Sequence, residues 1–107
     1  MEATITLSNN RKKRYTVTIN NKKIHFGDTR FMNYTMTHDE GKKKRYLALR
    51  NRENWEDPNT AGFWSRWLLW NKPSIKESAK YIEEQFNIPV KLNFYINELV
   101  FTPSSKS

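Results

Sequence analysis

Apolar and polar residues alternate near both ends of this chain and recur at helical spacing in its middle. Ala3-Thr4-Ile5-Thr6-Leu7 and Tyr15-Thr16-Val17-Thr18-Ile19 alternate small or apolar side chains with threonine, the period-two pattern of half-buried strands at 3–7 and 14–19. Asn20-Asn21 falls where a two-residue hairpin loop belongs, because asparagine tolerates the positive φ of a type I′ turn. Lys22-Lys23-Ile24-His25-Phe26 then returns as a strand at 22–26, closed by Gly27-Asp28. Phe31 to Met36 reads as extended, with Phe31, Tyr34 and Met36 available to the core. Val90, Leu92, Phe94 and Ile96 alternate with Lys91, Asn93, Tyr95 and Asn97, a fourth strand over 90–96. Leu99-Val100-Phe101 continues that strand or pairs back across Asn97-Glu98, and 102–107 is a polar tail.

Three helices are predicted between these strands. Thr37-His38-Asp39-Glu40 has the form of a capping box, so a helix over 38–53 is expected, with Tyr46, Leu47 and Leu49 as its core face. Asn54 to Thr60 is a turn-rich break. Gly62 to Trp70 holds three of the four tryptophans; at helical spacing Phe63, Trp67 and Trp70 share one face, and Trp64 and Leu68 make a second. A segment apolar on nearly all sides must be covered on nearly all sides. Phe63, Trp64, Trp67 and Trp70 are therefore core residues, or one or two of them are anchors left exposed for a partner. Ser74-Ile75-Lys76-Glu77 is a second capping box, and Ile75, Ala79, Ile82 and Phe86 mark an amphipathic helix over 74–86, ended by Asn87 and Pro89. Strands at the two ends and helices in the middle point to an α+β fold, a small antiparallel sheet packed on about three helices. At 107 residues the chain is one domain, 1–107.

Composition narrows the chemistry. Without cysteine there are no disulfides or thiolate metal sites, and no apolar run is long enough for a membrane span. The N-terminus lacks the pattern of a signal peptide, so the chain reads as intracellular when made. Both histidines stand apart from any second metal ligand, which gives His25 and His38 structural roles and leaves no metal site. Ser65 does not lie in a nucleophile elbow, and three glycines supply no phosphate-cradling loop. Asp39, Glu40 and Glu53 are explained by capping and pairing within helices. No catalytic residue, cofactor or small-molecule substrate is indicated, and the protein is expected not to be an enzyme.

Charge carries more information. The net charge is +8, and residues 1–54 account for all of it, with 13 Lys and Arg against 5 Asp and Glu. Three basic runs supply the excess: Arg11-Lys12-Lys13-Arg14, Lys22-Lys23 and Lys42-Lys43-Lys44-Arg45. Concentrated on one part of a small domain, they form a directional positive field and a candidate polyanion-binding surface. A nucleic-acid backbone is one such polyanion, bound without sequence readout since no recognition motif is present. An acidic protein face is the other. Replacing Lys42, Lys43 and Lys44 by alanine is expected to remove charge and spare the fold, since an exposed helix tolerates alanine.

The run from Tyr15 to about Ile88, a core of 14–88, resembles a small uncharacterised family of large nucleocytoplasmic DNA viruses of the algal-virus and mimivirus kind. The match is carried by Val17-Thr18-Ile19, His25-Phe26-Gly27, Tyr34-Thr35, Arg45-Tyr46-Leu47, Glu53-Asn54-Trp55 and, above all, the motif AGFWSRWLLWNKPS at 61–74. Where that pattern has Arg-His after the tyrosine-leucine pair, this chain has Arg50-Asn51. The resemblance implies a viral protein made in the host cytoplasm and, for packaged members, a place in the virion; it implies no activity. The expectation is a small basic structural protein, a minor capsid or core component that binds an acidic viral structural protein. The alternative is a sequence-independent nucleic-acid-binding protein on the viral genome.

Overall fold

The alternating segments pair as their pattern requires. In the computed structural model, which describes residues 1–94, β1 (Ala3–Leu7), β2 (Lys13–Ile19) and β3 (Lys22–Asp28) form an antiparallel meander. Asn20 and Asn21 both take positive φ at the tight turn between β2 and β3. A short β4 (Val90–Leu92) joins the far side of β1, giving the order β3-β2-β1-β4. It runs parallel to β1, so the sheet is mixed and not wholly antiparallel. Alternation reports which face a side chain takes and is blind to strand direction; here Ala3 N–H to Pro89 O and Asn93 N–H to Ile5 O fix the parallel register. The strand expected over 90–96 stops at Leu92, with Asn93 and Phe94 outside it; residues 95 and 96, the Leu99-Val100-Phe101 segment and the 102–107 tail lie outside the described residues.

One sheet face is apolar. Ile5, Val17, Ile19 and Phe26 meet Phe63, Trp64, Leu68 and Leu69 from the tryptophan segment, and Ile75, Ala79 and Ile82 from α4 (Ile75–Phe86). Threonines fill the other face, where the Nδ1 atom of His25 lies 2.9 Å from Ser8 Oγ and 2.8 Å from Thr16 Oγ1. Ser74 caps α4 by accepting from Glu77 N–H, and Asn87 ends it at φ 57°. The fold class is thus α+β, with the tryptophan segment and α4 packed on the apolar face of a four-stranded sheet.

Three helical segments differ from the sequence expectation. The stretch read as extended contains α1 (Tyr34–Thr37), capped by Asn33 and ended by His38 in the left-handed region. That turn places Thr37 inside α1, so Asp39 caps α2 (Glu40–Leu49), its carboxylate accepting from Lys42 N–H at 3.1 Å. The helix therefore spans 40–49 and not 38–53. Nor does α2 bury a core face: none of its residues is buried, and Leu49 is 80% exposed. Tyr46, Leu47, Ala48 and Leu49 are consecutive, so they spread around the helix and form no stripe. Of Phe31, Tyr34 and Met36, only Tyr34 is buried.

The tryptophan segment starts as α3 (Ala61–Trp64), capped by Thr60, and widens into a π turn over Ser65–Leu69. A wider turn shifts the later side chains away from their α-helical faces. Phe63, Trp64, Leu68 and Leu69 are fully buried, whereas Trp67 and Trp70 are half-buried beside other rings. Gly27, at φ 86°, admits this turn against the sheet: a Cβ there would lie 3.0 Å from Leu69 Cδ1. Phe63→Ala is expected to lower unfolding free energy by about 3–5 kcal/mol in a denaturant titration. Leu49→Ala is expected to stay within about 0.5 kcal/mol of the unaltered chain.

Candidate functional site

Because α2 stands away from the core, a groove opens between it and the body of the fold. Its volume is about 440 Å³. One wall is the inner side of α2, with Lys42, Arg45 and Leu49; the opposite wall is the end of β3, Lys13 and the Phe31-Met32 loop; the floor is Phe26, Ser65 and Leu69. Tyr46 and Trp70 close one side, their rings stacked with centroids 4.3 Å apart and planes 1° from parallel. Burial pushes the Tyr46 phenol well above its usual range, so it stays neutral at that stack.

Named contacts set the position of each wall. Lys43 Nζ donates to the Asn71 carbonyl at 2.7 Å and lies 4.7 Å from the centre of the Tyr34 ring. Burial lowers the Lys43 pKa, the largest influence on it. The Tyr34 hydroxyl donates to the Glu40 carboxylate, tying α1 to the first turn of α2. Opposite, Arg14 Nη2 donates to Phe31 O at 2.8 Å, which pins the loop that forms the rim. Trp64 and Trp67 donate their indole N–H groups to Pro58 O and Trp55 O, holding the 54–60 loop beneath the π turn. Arg66 packs its guanidinium 4.2 Å from the Trp67 ring centre and donates to Trp70 O at 2.8 Å.

These contacts divide the ten basic residues singled out in the sequence. Lys13, Lys42 and Arg45 come together on the groove. Arg14 and Lys43 are spent on the internal bonds just described. Arg11, Lys12 and Lys44 are exposed away from the groove lining. Lys22 and Lys23 pair with Ile19 and Thr18, at the far end of the hairpin from the Lys13–Asp28 pair. Six residues of strand separate those ends, about 20 Å. Among the described residues two ion pairs form, Arg30 with Asp28 at 2.8 Å and Arg50 with Glu53 at 2.9 Å. Both acids line the groove, and the Arg30 hydrogen bond holds the Asp28 pKa far below the usual carboxylate range. Lys42 and Arg45 form no ion pair among the described residues; Lys13 forms none either, though its charge acts on Asp28, its neighbour across the strands.

Residues 3–50 match a family of unknown function (DUF5754). The matched segment holds β1 to α2, and with them Lys13, Lys42, Arg45 and Leu49; it ends before the tryptophan motif at 61–74. No curated protein and no solved structure matches the chain. Among the described residues no three His, Asp or Glu side chains gather as a metal site, and no helix is long and apolar enough to cross a membrane.

Of the four aromatic residues singled out, Phe63 and Trp64 lie in the core, while Trp67 and Trp70 are half-buried against Tyr81 and Tyr46. Phe31, Met32 and Leu49 are among the groove residues that the sequence did not single out as a site. Their only signal was that Phe31 and Leu49 belong to segments without a clean apolar period. The internal duty of Lys43 also changes the alanine experiment. Lys43→Ala is expected to cost about 1–2 kcal/mol in thermal or denaturant unfolding, through loss of a charged hydrogen bond. Lys42→Ala and Lys44→Ala are expected to fall within about 0.5 kcal/mol of the parent, so the triple replacement does not spare the fold.

Proposed function

We propose that this protein is a small, non-enzymatic structural component of a large DNA virus particle, which binds an acidic protein neighbour in the capsid or core. The observation that carries the binding reading is the convergence of Lys13, Lys42 and Arg45, from two elements far apart in sequence, on one groove beside apolar side chains. Lys42 and Arg45, which form no ion pair among the described residues, keep their attraction for an incoming carboxylate. The viral setting, the virion location and manufacture in the host cytoplasm rest on the resemblance carried by the 61–74 motif.

Separation of the basic runs favours a protein over duplex nucleic acid. A duplex presents one charge per about 1.7 Å along a continuous axis, and a protein tracking it needs its cations on one face. Lys22 and Lys23 stand apart from the groove cations, at the opposite end of the hairpin.

The test is a fluorescence-anisotropy titration of the purified chain with labelled polyglutamate and with two unrelated DNA duplexes, starting near 50 mM salt where screening is weak. Polyglutamate is expected to bind, and Lys42→Ala with Arg45→Ala to weaken it at least about fivefold, while Lys22→Ala with Lys23→Ala leaves it within about twofold. If both duplexes instead bind equally, with log K falling against log salt at a slope near −4 to −5, about −0.9 per phosphate, the genome-binding alternative replaces this reading.

A further inference from the structure

The groove is amphipathic as well as basic. Leu49 is 80% exposed, Phe31 54% and Met32 52%, and all three line the same depression. Single exposed apolar residues on a surface need no explanation, but three large ones around one groove mark a place that a partner covers. The acids in the lining, Asp28 and Glu53, are already neutralised by Arg30 and Arg50, so the charge left to attract a ligand is positive. The volume of about 440 Å³ lies within the range of roughly 300–1,000 Å³ typical of sites that enclose a ligand group.

We infer that the groove takes a short acidic segment of a partner protein, with one large apolar side chain inserted among Leu49, Phe31 and Met32 and carboxylates on Arg45 and Lys42. This rests on the reading proposed above and adds the form of the ligand. Lys42, Arg45 and Leu49 stand at i, i+3 and i+7 and share one side of α2. At about 1.5 Å of rise per residue, Arg45 lies about 6 Å and Lys42 about 10 Å along the helix from Leu49. An extended peptide advances about 3.3 Å per residue, so its carboxylates belong about two and three positions from the apolar anchor. Lys13, across the groove, receives an acid on the other side of the anchor. Single-stranded nucleic acid fits less well, because it binds through free aromatic faces on which bases stack. Tyr46 and Trp70 each have one face taken by the other, the Phe31 ring carries the Arg30 guanidinium 5.5 Å from its centre, and Leu49 and Met32 are not aromatic.

The experiment uses the full chain and labelled peptides of about ten residues, with a central phenylalanine and aspartates two and three positions to either side. Controls are the same peptide with serine at the centre, and oligothymidylate as competitor. The phenylalanine peptide is expected to bind at least about tenfold more tightly than the serine peptide. Leu49→Ser is expected to erase that difference, whereas Lys22→Ala with Lys23→Ala, outside the groove, is expected to leave it within about twofold. In a ¹⁵N-labelled sample the shifted amides should include those of Phe31, Leu49 and Ser65. Equal binding of the two peptides overturns the anchored-segment proposal and leaves the charge reading standing. Failure of both peptides to bind overturns the two together. Displacement of the phenylalanine peptide by oligothymidylate at lower concentration than by the unlabelled peptide gives the groove to nucleic acid and also overturns the proposal.

Discussion

The hydrogen bond from Trp70 N–H to Ser65 O, 3.1 Å across five residues, sets the geometry on which the rest of the molecule depends. In an α-helix the Trp70 amide would bond to the Arg66 carbonyl one residue later. The wider turn lets Leu68 and Leu69 both enter the core, presses Leu69 against Gly27 and leaves the Trp70 ring at the margin, where Tyr46 stacks on it. Widening loosens the backbone, and π turns persist where side chains compensate. Arg66 does so here, reaching back to Trp70 O while its guanidinium lies on the Trp67 ring.

From that turn follow both the core and the groove. Phe63 and Trp64 fill the space against the sheet, and the indole N–H groups of Trp64 and Trp67 hold the 54–60 loop that leads into α3. The same turn gives α2 its attachment, through the Tyr46–Trp70 stack and the bond from Lys43 to Asn71 O just beyond the turn. A helix fixed by a few contacts along one edge cannot lie flat on the core. The gap beneath it is the groove, and its charge comes from those cations that the attachment does not use.

Strands β1, β2 and β3 and helix α4 were legible in the sequence because each presents an unbroken period to a single buried face. Direction of β4 was not, since Val90 and Leu92 alternate identically in parallel and antiparallel pairs. Start and character of α2 were misread for local reasons: His38 takes the left-handed conformation, Asp39 outcompetes Thr37 as cap, and four successive apolar residues leave no stripe. The basic runs were visible as composition, but their use was not. Only tertiary placement sends Arg14 to Phe31 O and Lys43 to Asn71 O, and brings Lys13 to face Lys42 and Arg45.

The central claim is that α2 is an outlying wall, held to the tryptophan turn by Tyr46 and Lys43 and not by a buried face of its own. Native-state amide hydrogen exchange measures this directly, because segments with few buried contacts open without global unfolding. Amides of 44–49 are expected to exchange through an opening at least about 2 kcal/mol cheaper than that of β2 or α4, with Tyr46→Leu widening the gap. Protection of α2 equal to that of β2 and α4 would place the helix in the core unit and contradict the account.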